Sequence, residues 1–207
     1  MVRGVNGSGK STLLKLLAGL YEPCDGGIYF GRRDHCEIQN DQLMVGVTAL
    51  LQDYGRYFLS VRDNVLFGAD TMYSDAEILQ VLELVNMPCQ MATFAAGLST
   101  RLGMMYEDGV DLSGGQWKKL ALARALLRKD AQILVLDEPF NELDNGTRAR
   151  VMNYLVATRK QRFTIIATHD DIIPKCADVV YEIAAGEVQV IECRRDRAYC
   201  ECELPLR

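Results

Sequence analysis

Four groups of residues in this 207-residue chain have the types and spacing to do chemistry. The first is Gly4-Val5-Asn6-Gly7-Ser8-Gly9-Lys10-Ser11, which fits the phosphate-loop pattern G-x-x-x-x-G-K-[ST]. Its glycines let the backbone curl so that successive N–H groups face one phosphate. Asn6, Gly7, Ser8, Gly9, Lys10, Ser11 and Thr12 are the candidate phosphate-binding residues. Lys10 would reach the β/γ-phosphates and the Ser11 hydroxyl would ligate Mg²⁺. The second group is Asp137-Glu138, two adjacent carboxylates closing a run of Ile, Leu and Val. Alone, they read as a solvated acidic turn; beside a phosphate loop they suit a bound Mg²⁺ and a water nucleophile. The third, Ser113-Gly114-Gly115-Gln116, is a small-residue turn that opens a helix and forms a second anion-directed N-terminus. One phosphate loop already fills that need within a single site, so the second turn is surplus there. The fourth is His169, in Thr168-His169-Asp170 at the end of another apolar run.

The elements that must position these groups can be read from pattern. Ser11–Leu20 carries Leu13, Leu14, Leu16 and Leu17 on a wide apolar stripe and predicts a helix ending at Gly19. Ile28–Phe30 and Met44–Leu51 predict strands, the second leading to Gln52. From Ser74 to about Leu98 the spacing is helical, with Ser74 and Glu77 as a capping box and Pro88 as the breaker. Residues 132–136 and 163–168 are short, apolar and β-branched, as expected of strands buried on both faces. Residues 177–183 and 188–191 predict a closing pair of strands around Ala185-Gly186. Ligands of such open α/β sheets sit outside the carboxyl ends of the strands, where Asp137, Glu138 and His169 all fall. Trp117 reads as a packing residue, and Lys118, Lys119, Arg124, Arg128 and Lys129 as a solvated basic face. His35 has no comparable setting and takes no role.

Composition narrows the class. The chain is 49% hydrophobic and 25% charged with a net charge of -5, a globular balance with no general attraction to nucleic acid. No apolar run approaches the ~18–20 residues that cross a bilayer, and the first residues form no signal peptide. Seven scattered cysteines are expected to be reduced thiols. Cys193, Cys200 and Cys202 fit no standard zinc spacing and read as part of a solvated tail.

In order along the chain, the phosphate loop, Leu112-Ser113-Gly114-Gly115-Gln116, the apolar run closing on Asp137-Glu138, and His169 resemble the ATP-binding cassette of ABC transporters. The resemblance covers residues 4 to about 186. Tyr106-Glu107-Asp108-Gly109-Val110-Asp111 and residues 58–68 are similar to the exporter branch. The implied fold is α/β: a RecA-like P-loop NTPase with a mostly parallel sheet flanked by helices. An inserted α-helical signature subdomain is expected at about 72–128, within a domain of residues 1–191, before a disordered Cys-containing tail at 192–207. The resemblance implies ATP and Mg²⁺ as cofactors. Lys10, Gln52, Glu138 and His169 become the catalytic set, with Glu138 as general base and His169 contacting the γ-phosphate. Ser11, Gln52 and Asp137 become the metal set. Ser113, Gly114, Gly115 and Gln116 would cap the γ-phosphate held by an opposite subunit, with Asp144 in a loop crossing that interface. That loop, Phe140-Asn141-Glu142-Leu143-Asp144, matches only in part, since the family favours small residues at its first positions.

The implied partners are a second cassette, head-to-tail with ATP sandwiched between, and a transmembrane domain on the same gene product or another chain. Nucleic acid is not expected. The location implied is the cytoplasmic face of a membrane. Only three residues precede Gly4, so the strand feeding the loop and the N-terminal β-region with its adenine-stacking aromatic are expected to be largely missing. The other functional readings are a non-transport ABC ATPase and an inactive truncated cassette. No heptad run lies between Lys10 and Ser113, which disfavours a coiled-coil DNA-repair type.

Overall fold

The β-branched, apolar stretches become strands because both of their faces can be buried, and those strands share one sheet. The computed structural model describes residues 1–87, 94–169, 176–184 and 186–193, and for residues 40 and 193 the backbone alone. Pro88, Ala185, Asp170 and the tail from 194 onward lie outside the described residues. The chain divides into two compact units.

The first unit comprises Met1–Gln52, Ala131–Pro139 and Asn153–Arg207. It opens with β1 (Val2–Arg3), the phosphate loop and α1 (Lys10–Leu17), followed by a hairpin of β2 (Tyr29–Phe30) and β3 (Arg33–Asp34). α2 (Asn40–Gly46) runs directly into β4 (Val47–Leu50). The expected strand from Met44 is therefore shorter: Met44 to Gly46 complete a helix. β5 (Ile133–Asp137), β6 (Phe163–Ala167), β7 (Val179–Ala184) and β8 (Glu187–Cys193) complete the sheet, in the order β4-β5-β6-β1-β7-β8. All neighbours pair in parallel except β7 with β8. Parallel pairing puts the carboxyl ends of β1, β4, β5 and β6 at one edge. Short as it is, β1 pairs on both sides, Val2 opposite Ala167 and Tyr181. Val2, Leu14, Ala18, Leu43, Val47, Val135, Ile165, Ala167 and Ile183 form one core cluster. α1 packs over β5 and β6.

The second unit comprises Asp53–Asp130 and Phe140–Met152 and is helical. Its helices are α3 (Val61–Leu66), α4 (Asp75–Leu84) and α5 (Gly114–Leu127), with α3 and α4 both packed on α5. Ser74 accepts from the Glu77 N–H while the Glu77 carboxylate accepts from the Ser74 N–H, as the sequence predicted. The helix is shorter than predicted, ending at Leu84, and Asn86 then takes the left-handed φ of 57°. Trp117 is buried, edge-on to Phe58.

The basic residues of α5 do not form one solvated face. Arg128 is buried. Arg124 donates through Nε to the Asn64 carbonyl at 2.8 Å and through Nη2 to Asn64 Oδ1 at 3.2 Å. Its guanidinium lies 4.7 Å from the Tyr57 ring centre. Asn64, fully buried, in turn donates to the carbonyls of Tyr57 and Ser60. This network fastens the segment after Asp53 to α5, because arginine supplies a rigid fork of donors and a face that stacks on tyrosine. α6 (Asn145–Thr158) is one helix whose residues fall in both units. Cys176 is disulfide-bonded, against the expectation of reduced thiols, whereas Cys24 and Cys36 are free.

Candidate active site

In the first unit the phosphate loop turns between β1 and α1. Gly7 and Gly9 adopt φ of 80° and 99°, a region that L side chains rarely enter, and a Cβ at either would meet nothing within 4 Å. The loop thus opens onto space on that side. On its other side it is tight: a Cβ on Gly4 would lie 2.5 Å from the Ile183 carbonyl and 2.6 Å from Ser8 Oγ. Gly9 caps α1 with no side-chain hydrogen bond, so the first N–H groups of that helix keep their donor capacity. Lys10 is buried, and its ammonium donates to the carbonyls of Gly4 at 2.7 Å and Val5 at 3.1 Å. Those bonds hold the lysine inside the curl of the loop.

Across the sheet edge, Asp137 ends β5 and Glu138 follows with φ of 48°, a strained backbone for a non-glycine residue. Its N–H donates to the Ala167 carbonyl at 2.9 Å, which holds the strained turn against the end of β6. Both carboxylates are buried. Asp137 is pushed above the usual carboxylate range by desolvation, opposed by a hydrogen bond from the Ser11 hydroxyl, and pushed further by the neighbouring Glu138 charge. Asp137 Oδ1, Glu138 Oε2 and Ser8 Oγ are buried without a hydrogen-bond partner. Buried acceptor oxygens left unpaired at a phosphate loop are what a cation with its waters would satisfy.

His169, two residues past β6, places Nδ1 at 2.9 Å from Glu138 Oε1, with its side chain 64% exposed. A carboxylate can only accept, so Nδ1 carries the hydrogen and Nε2 is left for another partner. Gln52 is exposed just past β4. Lys10, Ser11, Gln52, Asp137, Glu138 and His169 therefore all belong to the first unit, at the carboxyl ends of β1, β4, β5 and β6. Asn6, Gly7, Gly9 and Thr12 are exposed, and Ser8 is half-buried.

The family model for ABC transporters matches residues 1–141. The chain belongs to the ABC transporter family. Among curated ABC relatives, a subtilin transport ATP-binding protein of Bacillus subtilis is 34% identical over 186 residues, 89% of this chain and 30% of that protein. A beta-(1-->2)glucan export ATP-binding/permease protein of Agrobacterium fabrum is 35% identical over 185 residues, again 89% of this chain and 31% of that protein. A solved bacterial Atm1-family ABC exporter with ATP bound aligns with a TM-score of 0.79 at 26% identity, covering 93% of this chain and 33% of the other. The chain thus spans about a third of the length of the ABC proteins it matches. No helix among the described residues is long and apolar enough to cross a membrane.

Ser113, Gly114, Gly115 and Gln116 lie in the second unit. Ser113 caps α5: its Oγ accepts from the Gln116 N–H at 3.3 Å, and its own N–H donates to Gln116 Oε1 at 2.9 Å. Gln116 therefore serves as a capping partner here, and it uses one of the turn's amides. A Cβ on Gly114 would meet nothing within 4 Å, so that side of the turn is open. Asp144 caps α6, accepting from the Thr147 N–H at 2.9 Å and the Thr147 hydroxyl at 2.7 Å. Sequence reasoning had no means to foresee the Glu138–His169 hydrogen bond, which joins residues 31 positions apart. The Arg124–Asn64 network was equally hidden, although an arginine among the apolar residues of that helix is the signal that could have found it.

Proposed function

We propose that this chain is the ATP-binding and hydrolysing domain of an ABC transporter of the exporter type, and that it couples ATP-driven closure of two cassettes to transport across a membrane. The observation that carries the reading is the Glu138–His169 pair: a strained, buried glutamate hydrogen-bonded to a histidine, beside a phosphate loop and a second buried carboxylate. The exporter assignment is supported by the relatives, a glucan exporter among them, and by the Atm1-family fold match. The transmembrane partner follows from relatives that are ATP-binding/permease proteins.

Phosphoryl transfer asks a protein mainly to position groups and neutralise charge. The loop amides from Asn6 to Thr12 and the Lys10 ammonium would bind the β- and γ-phosphates. Ser11, Gln52 and Asp137 would hold Mg²⁺, which supplies charge neutralisation at the phosphate oxygens when bound. Glu138 accepts a proton from water as its oxygen bonds to the γ-phosphorus. The bond from that phosphorus to the bridging oxygen breaks, and ADP leaves with the electron pair. The Glu138–His169 hydrogen bond orients the base and would hold the imidazole ring beside the transferring phosphoryl group. Ser113, Gly114 and Gly115 of a second cassette would complete the anion site.

Glu138→Gln tests this. Turnover of Mg-ATP should fall by roughly 10²–10⁴-fold, the usual worth of a general base, while ATP binding persists and a nucleotide-bound dimer accumulates on size exclusion. Sustained hydrolysis by that variant would overturn the assignment.

A further inference from the structure

The loop after the catalytic glutamate lies against the signature helix within the second unit, and one ion pair ties the two. Glu142 turns with a left-handed φ of 68°, and its Oε2 lies 3.7 Å from where a side chain on Gly115 would begin. Two residues later Asp144 caps α6 through Thr147, and its Oδ2 stands 3.7 Å from Lys119 Nζ, on the second turn of α5. Asn86, in the left-handed turn beyond α4, adds a side-chain hydrogen bond to the same carboxylate. The Thr147 hydroxyl and N–H, then Lys119 and Asn86, hold the Asp144 carboxyl at about 2, below its ordinary range. The Lys119 side chain is only 17% exposed, so its aliphatic stem lies along the protein while its ammonium reaches the loop. Capping α6 requires Thr147 and Asp144 alone. The bond to Lys119 is extra, and what it adds is a tie between residues 140–144 and the signature helix.

We propose that Lys119 is a positioning residue: through Asp144 it fixes residues 140–144 against the signature turn 113–115, so that loop and turn meet a partner's nucleotide as one preformed surface. The inference rests on the nucleotide-sandwich reading above. A preformed surface spares the ordering cost at association, so its loss weakens assembly without touching the bond-breaking step. An ion pair this exposed changes an equilibrium by at most about fivefold.

Two variants of the full chain, Lys119→Met and Lys119→Arg, decide it. Without nucleotide, hydrogen exchange of the amides from 143 to 147 should quicken by roughly threefold in the Met variant and return to wild-type rates in the Arg variant. The ATP concentration for half-maximal self-association should rise by about three- to fivefold in Lys119→Met, with kcat at saturating ATP unchanged and Arg restoring the wild-type value. Unchanged exchange, an Arg variant that behaves like Met, or a fall in kcat without a shift in ATP dependence would each overturn the proposal. A wild-type chain that fails to associate with ATP would overturn the sandwich reading instead, and the exchange experiment would still decide whether Lys119 fixes the loop.

Discussion

Asp137 and Glu138 are neighbours in sequence held in different states. Asp137 ends a regular strand and takes a hydrogen bond from Ser11, and Glu138 is bent into a left-handed turn toward His169. The sequence marked both acids as candidates, since an apolar run ending in two carboxylates in a chain with a phosphate loop suits a cation and a water nucleophile. It could not reveal which oxygens would be left unpaired, because that depends on packing around β5 and β6. The consequence for Asp137 is measurable. Desolvation raises its folded-state pKa, so an ionised Asp137 opposes folding at neutral pH, and that penalty disappears as the pH falls below the ordinary value of 3.8. Asp137→Asn should therefore raise the thermal midpoint of the nucleotide-free chain at pH 7 by about 2–4 °C, for a gain on the order of 1 kcal/mol. The gain should vanish near pH 4. Mg-ATP should stabilise the wild type more than the variant, because the charge that costs stability is the one that would hold the cation. A lower midpoint for Asp137→Asn at pH 7 would show that the carboxylate is a net structural asset.

At the scale of elements, the readings that held were those with a local cause. Ser74 and Glu77 satisfy each other's backbone N–H groups over three residues, so α4 begins where the sequence said it would. Its end was not local: the apolar spacing continues past Leu84, yet the helix stops because Asn86 takes up a left-handed turn and bonds Asp144, 58 positions on. The strand expected from Met44 failed for a similar reason. Residues 44–51 are apolar apart from Thr48, and length alone could not separate the last turn of α2 from β4. Only Val47–Leu50 pair with Ile133–Leu136 in register, and pairing ends the ambiguity. The Ser74 cap offers a direct test of how much α4 depends on its start. Ser74→Ala removes one orphan-donor partner and should cost about 1 kcal/mol, a fall of roughly 2–4 °C in thermal midpoint for a chain of this size. Ser74→Asp, which keeps an acceptor at the cap and adds favourable charge at the helix start, should recover most of it.

For the whole molecule, the order β4-β5-β6-β1-β7-β8 explains why so much of the site was legible. A parallel sheet collects the carboxyl ends of distant strands at one edge, so motifs 4, 52, 137 and 169 fall together once their strands are identified. The same order sets a liability that composition conceals. β8 is an edge strand whose Val188 and Val190, on one side of it, are 54% and 59% exposed, and Phe163 at the start of β6 is 67% exposed. Tyr181, paired opposite Val190, extends the apolar surface onto β7. Edge strands that present unpaired backbone groups beside exposed apolar side chains recruit other chains, and a lysine there is the usual deterrent. A net charge of -5 resists this only weakly, because it acts through the field of the whole molecule and falls off within about 10 Å at 0.1 M salt. Val190→Lys should therefore reduce concentration-dependent scattering of the 207-residue chain several-fold in 0.1 M salt, with its thermal midpoint within about 1 °C of wild type, since Val190 contributes little buried area. The reduction should be the same in nucleotide-free and ATP-bound samples, because an edge contact does not involve the phosphate loop. Should Val190→Lys scatter as strongly as the wild type, association would have to run through another surface, and the exposed methionines at 72, 104 and 105 in the helical unit would be the next to substitute.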